Sequence, residues 1–203
     1  MFAVFNCIAN EHDWRLIVLA AVVCLMASLT GIVLFKRAQG TSGRTRLLWA
    51  MTAGVSTGCG IWATHFIAML AYIPPILMAY DVFLTALSLA VAVVMTGLGF
   101  IIIVYAPFRW AAALGGAVIG GGVSSMHFVG MAALQMPAYI DWAPELVGAA
   151  LTLGITFGMV AAYVAAGADE RRRLVGATLL LTLAIVSMHF TAMGAVQIVP
   201  DFS

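Results

Sequence analysis

Six uninterrupted apolar runs, each long enough to cross a bilayer, decide what this chain can fold into. They lie at about Trp14–Phe35, Leu47–Tyr72, Val82–Tyr105, Trp110–Met136, Leu146–Ala166 and Leu174–Val199. A helix of about 20 apolar residues spans the hydrocarbon core of a membrane. Backbone amides in lipid find no water, so only helices and closed barrels cross it, and runs that do not alternate select helices. Of the 203 residues, 64% are hydrophobic and 8% charged, against about 25% charged in soluble domains. The chain has too little polar side chain to face water, and lipid is its solvent. Glu11, His12 and Asp13 precede the first run where a signal peptide has a basic segment, so that run reads as a retained helix.

Charge sets the orientation, because Lys and Arg stay on the cytoplasmic side. Lys36, Arg37, Arg44 and Arg46 lie between runs one and two, Arg109 between three and four, and Arg171, Arg172 and Arg173 between five and six. Asp81, Asp141 and Glu145 occupy the opposite connections, with Glu11, Asp13 and Asp201 in the tails, and of the basic residues only Arg15 lies on that side. Both termini are therefore expected outside the cytoplasm. The arginine run is read as an orientation signal, with a lipid-headgroup contact as the lesser reading.

The chain repeats itself. Thr64-His65-Phe66-Ile67-Ala68-Met69, Met126-His127-Phe128-Val129-Gly130-Met131 and Met188-His189-Phe190-Thr191-Ala192-Met193 align without gaps at intervals of 62 residues. Gln135 falls over Gln197, Arg109 over Arg171 and Pro75 over Pro137. A period of two crossings returns each copy in the same orientation, so the repeats, about residues 14–75, 76–137 and 138–200, are parallel about an axis along the membrane normal. The expected fold is all-α: three helical hairpins about a pseudo-threefold axis, with the motif-bearing second, fourth and sixth helices clustered inside. Gly54 with Gly58 and Gly116 with Gly120 have the spacing that lets membrane helices approach closely, and support that inner ring.

His and Met four residues apart share a helical face, about 6 Å apart along the axis. His65, His127 and His189 form one layer; Met69, Met131 and Met193 form another, nearer the outer surface. They can ligate one ion together or line two stacked sites. Met126 and Met188 point away by about 100° and reach only a site between adjacent helices, and Thr64 holds that position in the first repeat. Imidazole serves many transition metals, while thioether is soft and favours reduced copper. A His/Met set without thiolate or carboxylate fits Cu(I) better than zinc, calcium or magnesium. Against this stand a metal-free polar core, because polar side chains also join helices in lipid, and haem ligation.

The remaining polar and aromatic residues carry less. Phe66, Phe128 and Phe190 either shield the site or simply pack; Trp62, Trp110 and Trp142 read as interfacial anchors. His12 reads as a solvated tail residue, and Asp141 and Glu145 as helix-capping or water-facing groups. Cys7, Cys24 and Cys59 have no metal-ligand spacing; the latter two read as packing residues, and no disulfide is expected. No phosphate loop, nucleophile-base pair or convergent carboxylates mark an enzyme.

These three motifs resemble those of the MHYT family of bacterial membrane sensor domains, with Phe66, Phe128 and Phe190 in place of the family's tyrosine, Thr64 in place of its first Met, and Ile67 and Val129 in place of its threonine. The resemblance covers nearly the whole chain as a single domain. It implies an inner-membrane sensor that binds copper through motif His and Met, responds to oxygen, carbon monoxide or nitric oxide, and signals to a cytoplasmic output domain, commonly one that makes or degrades cyclic di-GMP. It also implies a seventh helix and that output domain beyond this chain, while a homodimer stays open and no nucleic-acid partner is expected. Two rivals stay open: a copper transporter, which needs polar or thioether residues continuing toward the cytoplasmic ends of the inner helices, where Met51 is the only clear candidate, and a haem electron-transfer protein, which needs two histidines facing across one porphyrin.

Overall fold

The computed structural model describes residues 12–73, 78–167 and 170–200; Cys7, Glu11, Pro75 and Asp201 lie outside them. The apolar runs form six helices, α1 (Trp14–Gln39), α2 (Gly43–Ala71), α3 (Val82–Tyr105), α4 (Ala111–Ala132), α5 (Pro144–Ala166) and α6 (Arg171–Met193). Each has 22 to 29 residues, and at 1.5 Å per residue the shortest covers about 33 Å, more than the roughly 30 Å hydrocarbon core. The protein is a multi-pass membrane protein of three helical hairpins.

Two expected spans run too far. The fourth ends at Ala132 rather than Met136, and the sixth at Met193 rather than Val199, because the chain there turns into short strands. These are β1 (Ala79–Tyr80), β2 (Leu134–Gln135), β3 (Ala138–Trp142) and β4 (Val196–Pro200), paired antiparallel as β1 with β2 and β3 with β4. They all lie at one end of the bundle, the strand face; the Lys- and Arg-bearing connections lie at the other, the basic face.

The strand pairs repeat the same stitch. Tyr80 pairs with Leu134, Trp142 with Val196 and, as an isolated bridge, His12 with Tyr72. One residue on, the amides of Asp13, Asp81 and Ala143 donate to the carbonyls of Ala71, Ala133 and Ala195 at 2.8, 2.8 and 3.0 Å. Each hairpin is thus closed where its first helix begins and its second ends. Backbone groups that the helix ends would leave unpaired near lipid are satisfied there. The helix starts are local: Asp13 and Asp81 carboxylates accept from the amides of Arg15 and Leu84 at 2.8 Å, and Pro144 stands in the first turn of α5. Asp141 lies exposed in β3 opposite Gln197, and Glu145 is exposed in the first turn of α5.

The helices form a closed ring in chain order, with α6 returning to α1, and α4 also touches α2 and α6 across the middle. Half of the central stretch of α2 and α4 and 39% of that of α6 is buried, against 28% in α1, α3 and α5. The motif-bearing helices are therefore the inner three. At the basic end, Phe35 of α1 stacks on Phe100 of α3 at 5.4 Å.

The glycines do something other than expected. They do not draw α2, α4 and α6 onto one another; they seat the first hairpin on the second and the second on the third. A Cβ on Gly58 would stand 2.6 Å from Val93 Cα of α3, and Gly54 abuts the backbone of Gly97. One repeat on, Cβ atoms on Gly120 and Gly116 would stand 2.7 Å from Ile155 and Met159 Cα of α5. In the third repeat the same two positions are Thr178 and Thr182. The seam from α6 back to α1 has no glycine pair, and it is the least extensive of the three seams between hairpins.

Candidate metal centre

One residue from each inner helix reaches the axis at the same depth. His65, His127 and His189 are 3%, 0% and 4% exposed. His65 Nδ1 lies 3.2 Å from His127 Nδ1 and 3.3 Å from His189 Nδ1. The rings stand edge-on like propeller blades, with centroids 4.9 to 5.2 Å apart and planes at 78° to 88°. Each is braced edge-on by the phenylalanine that follows it, Phe66, Phe128 or Phe190, at 84° to 85°. In the second repeat the small residue of the motif has a steric reason: a Cβ on Gly130 would stand 2.6 Å from His65 Nε2, so the imidazole of the first hairpin lies over the backbone of the second.

The donor set fits a metal ion. Metal–imidazole bonds of about 2.0–2.1 Å put nitrogens at two corners of a tetrahedron about 3.3–3.4 Å apart, close to the spacings found. Three histidines would hold such an ion and leave room for a further small ligand. Each neutral imidazole carries one N–H. In a mixed set of tautomers an Nδ1–H of one ring donates to the bare Nδ1 of a neighbour across these contacts. With all three Nδ1 atoms bare, lone pair faces lone pair while the N–H groups sit at Nε2, and all three Nε2 atoms are buried without a hydrogen-bond partner. A cation at the axis satisfies the three inward lone pairs together. These side chains could hold a metal ion, and among the described residues no cysteine or carboxylate joins them.

The other expected ligands fall into two sets. Met69, Met131 and Met193, 1% to 3% exposed, pack as a separate cluster on the strand side of the histidines, walled by Tyr72, Tyr80, Leu134, Ile140, Trp142 and Val196. Met126 and Met188 lie on the other side and, with Thr64, line a cavity of about 60 Å3 that touches all three histidines. Met51 is half exposed on α2. Cys24 is buried in the core against the hydroxyls of Thr64, Ser28 and Thr182, whereas Cys59 is exposed; both are free thiols.

His12 is a correction to the sequence reading. It is 8% exposed, bridged to Tyr72 and set against Phe190 with ring centroids 5.7 Å apart. Tyr80 holds the same place on Phe66 at 5.5 Å, and Trp142 on Phe128 at 5.3 Å. A ring carried by each hairpin thus covers the phenylalanine of its neighbour, around the whole circle. Tyr80 and Trp142 keep the 62-residue interval, but His12 precedes Tyr80 by 68, and a gap-free comparison passes over it. The Tyr80 hydroxyl has no partner, and burial raises its pKa above the ordinary tyrosine value of 10.0. Trp62 is no interfacial anchor: its indole donates to Ser88 Oγ at 3.1 Å and its ring tilts against Phe66. Trp110, 63% exposed beside Arg109 at the basic face, keeps the anchor position.

Comparison with known proteins agrees with this repeat. The bacterial signalling protein N-terminal repeat named MHYT matches residues 58–116 and 120–178, two units offset by the same 62 residues. A signalling protein of Caulobacter vibrioides is 37% identical over all of the chain and a quarter of its own length. Two proteins of Pseudomonas aeruginosa are similar: the bifunctional diguanylate cyclase/cyclic di-GMP phosphodiesterase MucR, 35% identical over 93% of the chain and 28% of its own length, and the cyclic di-GMP phosphodiesterase NbdA, 36% identical over 94% and 25%. The chain spans about a quarter of the length of these relatives. No solved structure matches it. With the triple motif, the hairpin architecture and the family's repeat in one register, the chain belongs to the MHYT family of bacterial signalling-protein N-terminal repeats.

Proposed function

We propose that this domain is the sensory input of a membrane signalling protein and holds copper(I) at the three histidines. The observation that carries the reading is the meeting of three buried imidazoles, with His65 Nδ1 3.2 Å from His127 Nδ1 and 3.3 Å from His189 Nδ1 and a nitrogen of each ring within 4.8 Å of the others. Their surroundings favour a soft, low-charge ion: the nearby donors are neutral, with thioethers on both sides, Met69, Met131 and Met193 toward the strand face and Met126 and Met188 toward the cavity. Such an ion would supply a redox couple and a position for a small ligand, and the signal would be a diatomic gas (oxygen, carbon monoxide or nitric oxide) or a change of redox or copper state. The protein's part is to hold the imidazoles inward, exclude water and carry a shift of the inner helices to the basic face.

The strand face is assigned to the periplasm and the basic face to the cytoplasm, by the placement of Lys and Arg. The names of MucR and NbdA support cyclic di-GMP turnover as the output, carried by parts of the protein beyond this chain. The haem reading is disfavoured by volume, since the cavity at the histidines has about 60 Å3 and cofactor pockets run from about 300 Å3 upward. A transport ladder is disfavoured by Met51, half exposed where an inner ligand would be needed.

The test is elemental analysis of the protein purified in detergent beside a His65→Ala/His127→Ala/His189→Ala variant. Copper is expected with the first and not with the second. Equal copper in both, or zinc in its place, overturns the reading.

A further inference from the structure

We infer that the cavity beneath the histidines is reached sideways from the lipid, between α6 and α1, and that Ala20 and Ala21 set the size of what enters. The proposal takes from the preceding reading that a small ligand meets a metal at the histidines; the route itself rests on the cavity and the seam.

The inner walls of the cavity obey the threefold repeat. Ile61, Val123 and Ile185 lie one turn below the histidines, and Thr64, Met126 and Met188 stand beside them. The rest of the lining does not. Ile17, Ala20 and Ala21 come from α1, Val186 and Phe190 from α6, and none of the lining residues from α3 or α5. The cavity therefore extends toward one seam of three. That seam lacks the glycine pair, because Thr178 and Thr182 replace the residues that let α2 meet α3 and α4 meet α5 at backbone contact. Ala20 is buried and Ala21, the next residue, is exposed on the lipid-facing side, while Val186 and Phe190 are half-buried. The wall thus runs from the histidines to the membrane surface of α1 through two methyl groups.

Other approaches are closed. The strand face is filled by Met69, Met131 and Met193 under Tyr80 and Trp142. Toward the basic face the core is plugged by buried Phe35 and Phe100. The lining is carbon and sulfur except for the imidazoles and the Thr64 hydroxyl, which already donates to Gly60 O at 2.8 Å. An apolar cavity of this kind stays dry and takes apolar guests. Since about 10–15 Å3 admits one water, the cavity of about 60 Å3 holds a guest of a few heavy atoms. The class that fits is a small, uncharged molecule that dissolves in lipid; anions, hydrated ions and sugars do not.

Xenon probes the route without any metal. Copper-free protein in lipid nanodiscs is followed by xenon-129 exchange between lipid and protein. Wild type is expected to take up xenon; Ala20→Phe, filling the cavity, abolishes the bound signal. Ala21→Trp, at the mouth, slows exchange about tenfold or more, equivalent to roughly 1.4 kcal/mol of added barrier. Val22→Trp is the control, because Val22 is 52% exposed and does not line the cavity; its exchange is expected at the wild-type rate. Absence of bound xenon in wild type, or exchange as fast in Ala21→Trp as in Val22→Trp, overturns the proposal. Copper content measured on the same samples fails or succeeds separately, so a wrong metal and a wrong route give different results.

Discussion

Two seams between hairpins are closed by glycine against backbone, and the third is not. Gly54 and Gly58 seat α2 on α3, Gly116 and Gly120 seat α4 on α5, and Thr178 and Thr182 hold the same places in α6 against α1. In lipid there is no hydrophobic gain from burying one apolar helix on another; close packing and interhelical hydrogen bonds must hold them. The first seam has both, with Thr96 Oγ1 of α3 donating to Gly54 O at 2.8 Å. The third has neither a glycine pair nor, among the described residues, a hydroxyl-to-carbonyl bond of this kind; Thr182 lies beside the thiol of Cys24. Threefold repetition brings the histidines together at one depth. Departure from it leaves one side of their cavity thinly walled. A perfectly symmetrical trimer of hairpins would have made the centre and sealed it.

The sharpest way to break this contrast is to place the same side chain at corresponding positions of two seams. Gly58→Val sets a branched carbon against the backbone of Val93, which cannot swing aside as a side chain would. The expected cost is about 3 kcal/mol or more, seen as loss of the monodisperse folded species on size-exclusion chromatography after mild heating. Thr182→Val stands two repeats on and nearly preserves shape, while removing a hydroxyl that lies beside the Cys24 thiol. Its expected effect stays within about 1 kcal/mol of wild type, read as a small change in the thermal midpoint. Equal destabilisation by the two variants would mean that the seams are alike and that the glycines do not distinguish them.

How far the sequence revealed this arrangement depends on what kind of signal each part leaves. The six helices were legible because lipid demands long apolar runs, and the inner ring because His65, His127 and His189 recur with the period of two crossings. Helix ends were less legible: Leu134, Val196, Ile198 and Val199 are as apolar as any helical residue, and only their pairing in strands ends α4 and α6 early. The glycine spacing announces a face of close approach but not which helix meets it; it suggests the inner ring for Gly116 and Gly120, which face α5 instead. His12 was misread because its chain segment enters the hairpin with six residues' difference in spacing, although the bridge to Tyr72 restores it to the place of Tyr80 and Trp142. The Met layer was placed rightly relative to the histidines; whether Met69, Met131 and Met193 ligate belongs to the copper proposal.

The smallest expected effect concerns the covering rings, which sharpen the comparison because three different side chains fill one role. His12, Tyr80 and Trp142 each lie on a neighbouring phenylalanine, but among them Tyr80 brings a phenol whose buried hydroxyl has no partner. Burial disfavours the phenolate and raises the pKa of Tyr80 in the folded protein. The unfolded chain releases this proton near pH 10, while the folded chain retains it to higher pH. Between those values the unfolded state binds fewer protons, so stability falls as pH rises through the window and is unaffected well below it. Tyr80→Phe keeps the ring contact with Phe66 and removes the titration. Its unfolding midpoint is expected to match wild type, or slightly exceed it, from neutral pH to about pH 9, and to pull ahead progressively above the ordinary tyrosine pKa of about 10. Thermal unfolding of both proteins across that range decides the matter. Parallel curves would mean that the phenol is hydrated in the folded state, and that the cover over Phe66 is looser than the one formed by Trp142 over Phe128.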